Sequence, residues 1–530
     1  MDLFRKLIEE ADSLVDDSKP DRALEFVREA QLELKKIGAS VLMHEATVAR
    51  LLIDIGEQLW DSEVTQEGLT FLEDNLVALG KMIQLASLEY NIGNAKKTLY
   101  SISRLKNKQI FTPESISLLL EAKDHYWRAL KANVPMQLSR QLCVNLANVL
   151  DSSGRLVEAL FWYDQALSID PTFCMAHHNR AIALQFLNRL SGSFSISLIE
   201  EIRKSFTLAK TDPDLFPHLA DQAQKQIELL QLRLQELGWD DERIAEDKKQ
   251  HEAEYEQHDE YWKFCLANHL ALSEHGLYCK CVGVRRDDLS IVKQSGSIAG
   301  DFVPRLELLL NRIKSEFCYA RVLYYQSLKP ETKWHTDTYQ STFTELYEGE
   351  AIGIEEEFLR NSFRLCFGIL DKIAQGLNEL FSFAEPEEKL YFESFWRKNG
   401  KQGTKRWELI NSQNNTSLVA LFSLATDLNA NKGEWGFFKE YRNRMEHGLL
   451  VLLKDGSENL PAYISPERIQ CTAVSIGEFK KHTMQMLQFT RSAIFSFAFC
   501  VRIEGQKKLS ENKKENATKL QLGKKAIGKV

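Results

Sequence analysis

Small and large apolar residues recur at helical spacing through the first 217 residues. Leu7, Ala11 and Leu14 mark one helix, and Ala23, Val27 and Ala30 mark the next. The rhythm returns as Ile55, Gly56 and Leu59 followed by Gly68 and Leu72, then as YNIGNA at 90–95 followed, after a longer interval, by Ala122, Tyr126 and Ala129. Leu146 and Ala147 precede Ala159, Tyr163 and Ala166, and a degenerate copy begins at HHNRAIAL and closes near Pro213. Spacings of three and four predict amphipathic helices, and the alanines and glycines let two helices approach closely. A hairpin of this size cannot bury its apolar face alone, so the pattern predicts five hairpins stacked into a solenoid over 1–217.

The clearest unit is VNLANVLDSSGRLVEALFWYDQALSIDP. It resembles the tetratricopeptide repeat (TPR), with Gly154 at the turn between the helices and Pro171 at the end. Cys143 and Leu150 stand where the repeat commonly has a tryptophan and a tyrosine in its first helix. The resemblance implies a concave face that takes a protein or peptide ligand. His177 and His178 open a repeat helix and are expected to pack or cap there.

The rhythm ends in LADQAQKQIELLQLRLQELGWDDERIAEDKKQHEAEYEQHDEY, where apolar spacing fades into charge after Leu237. Residues 218–262 therefore read as a helical and polar connector. Beyond it, the stretch 277–302 is glycine-bearing and irregular. Helical periodicity returns near 303–328, 354–383, 415–430, 434–454 and 476–504. ILDKIAQGLNELF and TRSAIFSFAFCVRI are apolar on broad faces, which places their helices at the centre of a bundle. The predicted fold class is all-α: an N-terminal TPR-like solenoid, then a helical bundle over 263–505 and a tail over 506–530.

The chain has 530 residues, 44% of them hydrophobic, enough for more than one core. No apolar run is long enough to span a bilayer, so no membrane association is expected. The nine cysteines form no C-x-x-C pair, which fits reduced thiols in the cytoplasm. The net charge is −8, but Gly505–Val530 holds eight lysines and two glutamates, a net +6, which leaves −14 for the remainder. An acidic body excludes a general nucleic-acid coat, and any nucleic-acid contact must come from a local patch. The lysine-rich tail lacks aromatic residues and is expected to be disordered.

FCLANHLALSEHGLYCKC carries Cys265, His269, His275, Cys279 and Cys281, all donors that zinc accepts. Their spacing fits no standard finger or ribbon, so buried cysteines and surface histidines are expected, with no metal and no cofactor. Walker loops, dinucleotide-binding glycine motifs and the H-E-x-x-H and G-x-S-x-G signatures are absent from the sequence.

The stretch EYRNRMEHG, residues 440–448, is chemically the most specific. An arginine five residues before a histidine occurs once in the chain, at Arg442 and His447. Phe438, Tyr441, Met445, Leu449 and Leu452 are expected to form the buried stripe of its helix. Asn443 and His447 share another face, and Arg442 lies about 100° around from Asn443. One helix spreads these groups too widely to close a tight site, whereas two copies about a twofold axis could line a cleft.

RNRMEH, late in an all-α region, resembles the R-x-x-x-x-H signature of the HEPN (higher eukaryotes and prokaryotes nucleotide-binding) superfamily, and WKFCLANHL at 262–270 resembles the opening of a HEPN group that follows TPR arrays. The resemblance spans roughly 263–505. It implies a metal-independent endoribonuclease that works as a homodimer, with RNA as substrate, Arg442 and His447 catalytic, and Asn443 at the polar position after the arginine. Glu446 is expected to orient the Arg442 guanidinium. A defence or stress toxin held dormant by its repeats is the biological role this implies. The competing class is a non-enzymatic adaptor, in which the solenoid is the working part and an inactive HEPN-like domain dimerises.

Overall fold

The computed structural model describes residues 2–37, 41–106, 112–132, 134–191, 195–213, 215–291, 303–329, 349–385, 388–396, 410, 412–429, 433–457 and 470–527. Nineteen α-helices and one two-stranded ribbon are found among them. The chain divides into two compact units. One comprises Met1–Ala183, Lys204–Ile227 and Asn411–Asn414, and the other Leu184–Arg203, Glu228–Ile410 and Asn415–Val530.

The first unit is built from antiparallel helix pairs stacked in chain order. Helices α1 (Asp2–Asp16) and α2 (Pro20–Ile37) pair, as do α3 (Leu42–Leu59) and α4 (Ser62–Asp74). After the single turn α5 (Leu76–Leu79), α6 (Leu85–Lys106) pairs with α7 (Pro113–Lys131), and α8 (Met136–Ser152) with α9 (Leu156–Ile169). Each pair also packs on the next, which is the TPR-like stacking that the apolar rhythm predicts.

The small residues lie where the helices cross. Ala11, Ala23, Ala30, Ala122, Ala129, Ala147, Ala159 and Ala166 are all fully buried. Gly154 turns α8 into α9 with φ +80°, a left-handed conformation in which a Cβ would be strained. Buried tyrosines join the two helices of a pair and keep their hydroxyls bonded. Tyr126 donates to Asn94 Oδ1 at 2.7 Å, and Tyr163 donates to Asn148 Oδ1 at 2.8 Å. His177 and His178, on α10 (Cys174–Leu190), take packing and capping roles. His177 Nε2 meets the Pro171 carbonyl at 2.8 Å, and His178 lies edge-on to Phe206 of α11 (Ile196–Lys210).

The second unit contains α13 (Asp241–Glu256), α14 (Glu260–Ala267), and a bundle of α15 (Val303–Ser327), α16 (Ile354–Phe381), α17 (Thr416–Asp427), α18 (Gly436–His447) and α19 (Ile476–Ile527). Helix α12 (Pro217–Glu236) precedes α13. The bundle core is α15 on α16, with α16, α17 and α15 all packed on α19. The two segments with broad apolar faces are central, as expected: Ile369, Leu370, Ile373, Ala374 and Leu377 of α16 and Ala493 to Ala498 of α19 are buried, apart from a trace of exposure at Ser496.

The charged stretch after Leu237 is helical to Glu256, with Asp240 capping α13 through Arg243 N at 2.9 Å. Two expectations are corrected. The last helix does not stop near 504, and its backbone continues through the lysine-rich segment expected to be disordered, as far as Ile527. The helix expected over 434–454 ends at His447. Gly448 is extended there, and Leu449–Leu453 forms strand β1, parallel to β2 (Cys471–Ser475). LLVLL is a continuous apolar run whose spacing suits a helix or a doubly buried strand, and pairing with β2 decides for the strand. This ribbon leaves the core helical.

Candidate active site

Helix α18 is fixed by its apolar face. Phe438 is fully buried, stacked 5.3 Å from Trp435 and edge-on to Phe363 at 5.5 Å. Tyr441 packs against Phe363 and Phe479, and its hydroxyl lies 3.3 Å from His482 Nδ1. Met445 is half-buried and Leu449 is exposed, so the buried stripe is shorter than its spacing predicts. At the end of the helix, Arg444 Nε donates to Thr472 Oγ1 at 3.1 Å and its Nη1 reaches Gln470, which ties α18 to β2. A Cβ at Gly448 would come within 2.4 Å of the Gln470 carbonyl, so glycine is what lets the chain turn from helix into strand immediately after His447.

The other face of α18 lines a pocket of about 250 Å³. Lys439, Arg442, Asn443, Glu446 and His447 form one wall. Phe367, Leu370 and Asp371 of α16 form another, and Tyr391 to Ser394 close the side. The candidate residues Arg442, Asn443, Glu446 and His447 are thus brought to one cavity. Asn443, Glu446 and His447 are exposed, and Arg442 is half-buried.

Arg442 is held from two sides. Its Nη2 lies 3.7 Å from Asp371 Oδ2, and its guanidinium carbon lies 5.5 Å from the centre of the Phe367 ring. Asp371 also accepts from Phe392 N at 2.9 Å, which pins the 391–394 wall to α16. Burial raises the Asp371 carboxyl above its ordinary range, opposed by the Phe392 amide and by the charges of Arg442 and Lys372. The Asp371 carboxylate therefore depends on the arginine beside it.

Glu446 does not play the expected role. It accepts from Arg364 Nε at 2.8 Å, and this bond, more than the neighbouring charges, holds its carboxyl below the ordinary range. An arginine four residues before a glutamate is the weaker order for an intrahelical pair, and an arginine on another helix outcompetes it. Asp371, Arg364 and Lys439 went unassigned in the sequence. Lys439 could have been found, because it lies three and four residues before Arg442 and Asn443. Asp371 and Arg364 sit on α16, 71 and 82 residues before Arg442 and Glu446, where no spacing links them to the motif.

The second cluster of donors is rearranged from its sequence reading. Cys265 is buried beside Tyr261 and Arg321, and burial pushes its thiol up to about 11. His269 takes a left-handed backbone with φ +54°, and burial lowers its imidazole to about 4. His275, Cys279 and Cys281 converge instead on His251, which the polar stretch of α13 had concealed.

The fold and pocket define an all-α protein in which stacked helical hairpins accompany a helical bundle that bears an arginine, an asparagine and a histidine in one cavity. Residues 299–504 match the LA2681-like HEPN family, so the bundle carries a HEPN domain, and its segment includes every residue of the pocket. No curated protein matches the chain. Among solved structures, the chain is similar to Pseudomonas aeruginosa pilF at 14% identity and a TM-score of 0.27, over 44% of this chain and 92% of that one. It is also similar to the TPR2AB domain of yeast Sti1, solved in complex with pHSP90, at 14% identity and a TM-score of 0.18, over 43% of this chain and 98% of that one. No helix of the described residues is long and apolar enough to cross a membrane.

Proposed function

We propose that the protein is a metal-independent endoribonuclease of the cytoplasm, governed by its helical repeats. The observation that carries this reading is the convergence of Arg442, Asn443 and His447 on one pocket within the segment that matches the HEPN family. Arginine stays protonated and offers a planar fork to a phosphodiester as negative charge builds on it. Histidine titrates near neutrality and can take the proton from a ribose 2′-hydroxyl or give one to the departing 5′-oxygen. Attack of the 2′-oxygen on phosphorus leaves a cyclic phosphate and restricts the substrate to RNA. Asn443 hydrogen-bonds the phosphate or ribose. Glu446, bound to Arg364, supports the wall of the pocket.

The active form in this reading is a homodimer. A single pocket supplies one arginine and one histidine on an open face, and Tyr391 in its wall and Leu449, two residues after His447, are 46% and 43% exposed. A second copy would cover them and supply the matching pair of groups. The repeats take a protein or peptide ligand and hold the nuclease dormant, as a defence or stress toxin requires. In domain terms, 1–217 is the array, 218–262 the connector, 263–505 the HEPN-like part and 506–530 the basic tail.

The test is cleavage of a mixed RNA pool by the full chain in EDTA, beside Arg442→Ala and His447→Ala. Loss of cleavage in both variants with unchanged melting supports the enzyme. A parent that does not cleave, while remaining a dimer that binds peptide ligands, supports the adaptor.

A further inference from the structure

One face of the polar helix α13 is half-buried against a neighbouring segment. His251 and Glu254 lie one turn apart on it, and with His258, just past the end of the helix, they meet the segment 279–285. Glu254 Oε2 accepts from Val282 N at 3.3 Å, and His258 Nε2 lies 2.9 Å from the Lys280 carbonyl. Arg285 Nε reaches His258 Nδ1 at 2.9 Å, which latches the far end of this contact.

At its near end, four soft or borderline donors come together. The ligand atoms of His251, His275, Cys279 and Cys281 all lie within 4.8 Å of one another. His275 Nε2 is 3.1 Å from Cys281 Sγ, and His251 Nδ1 is 3.5 Å from Cys279 Sγ. With zinc bonds of about 2.3 Å to sulfur and about 2.05 Å to nitrogen, a regular tetrahedron has ligand-to-ligand edges of roughly 3.4–3.8 Å. The two closest edges are near this spacing, and the widest, up to 4.8 Å, would close by roughly 1.0–1.4 Å around a tetrahedral ion.

The surroundings also fit. His275 Nδ1 lies 3.1 Å from the Tyr278 hydroxyl, a partner able to accept from Nδ1–H when Nε2, which faces Cys281, binds a metal. Cys281 is buried and the other three are half-buried, so a dication with two thiolates would place a neutral unit in a partly dry site. The local apolar core is small, consisting of Leu266, Ala271 and Val284 with Tyr255 and Trp262 against them. Segments with so little core are the ones that metal staples hold together.

We propose that His251, Cys279, Cys281 and His275 form a structural zinc site that clamps α13 to the 275–286 segment. The set is closed, with four protein ligands and no position for substrate, so its role is to order this corner of the second unit. It is independent of the ribonuclease reading, and its ligands precede the segment that matches the HEPN family.

The test is the metal content of the full chain, purified without a metal-affinity step, measured by plasma mass spectrometry, together with cobalt(II) titration of the reduced apoprotein. The expected result is one zinc per chain. Cobalt should give intense visible bands of a tetrahedral site and a sulfur-to-metal charge-transfer band, which report on the ligands without any substitution. Cys279→Ser and Cys281→Ser should each lose the metal and melt lower, while Cys265→Ser and Cys318→Ser should keep it. A parent that holds no zinc and gives no tetrahedral cobalt spectrum overturns the site. So does a Cys279→Ser, Cys281→Ser double variant that retains full zinc.

Discussion

Replacing Arg321 with methionine is expected to destabilise the second unit more than any change at the pocket. Arg321 is 3% exposed. Its Nη2 lies 2.8 Å from Asp287 Oδ2 and its Nη1 3.3 Å from Oδ1, while the same guanidinium donates to the Leu270 carbonyl at 2.8 Å and to the Tyr261 hydroxyl at 2.9 Å. Methionine fills much of the volume but leaves the Asp287 carboxylate, 11% exposed, with the Leu272 amide and the Cys318 thiol as donors. Removing one partner of a buried pair costs about 3–5 kcal/mol, because the remaining charge stays desolvated. For a unit of this size that lowers the melting temperature by roughly 5–7 °C. Calorimetry of the full chain reads the shift. Asp287→Asn in the same background should restore part of the loss, since it removes the stranded charge. A drop of less than about 2 °C in Arg321→Met, or a double variant as unstable as the sum of the two singles, would refute the buried pair as an anchor.

Asp371→Asn should lower cleavage about tenfold with little change in KM, less than the roughly 10²- to 10³-fold expected for Arg442→Ala, because it loosens the guanidinium without removing it. Single-turnover rates on a labelled RNA check this. His269 is lowered to about 4 in the folded chain from an ordinary 6.5, so the unfolded chain binds its proton more readily. Stability is fully present above about pH 6.5 and lost as pH falls toward 4, by at most about 3 kcal/mol, and His269→Asn should flatten that slope in urea titrations. Gly154→Ala should cost about 1 kcal/mol in the first unit while leaving cleavage unchanged. A chain that begins at Leu184 keeps every segment of the second unit, and it should arrest growth more strongly than the full chain if the repeats restrain the nuclease. Equal toxicity would leave the repeats as a recruiting device.

The repeats were legible because their signal is local. Ala23 with Ala30, or Ala159 with Ala166, mark helix crossings within one hairpin, and Gly154 marks a turn that few other residues fit. The helical bundle was legible for the same reason, up to Gly448, where an aliphatic run suits two structures and a strand 20 residues away decides between them. The pocket was half legible. Arg442, Asn443 and His447 share one helix, so their spacing carries information, but Asp371 and Arg364 approach from α16 and leave no trace in the motif. Partner choice followed geometry that spacing could not show, which is why Glu446 was matched to the wrong arginine. His251 was hidden in a different way: a polar helix face reads as solvated unless the segment covering it is known.

The most direct test of the central claim is the end group left on RNA by the full chain in EDTA. The reading of Arg442 and His447 as catalytic groups requires 2′,3′-cyclic phosphate termini, produced without added metal and lost, together with cleavage, in His447→Ala. Cleavage that persists in His447→Ala, or that appears only with a divalent ion and leaves 3′-hydroxyl ends, would contradict it.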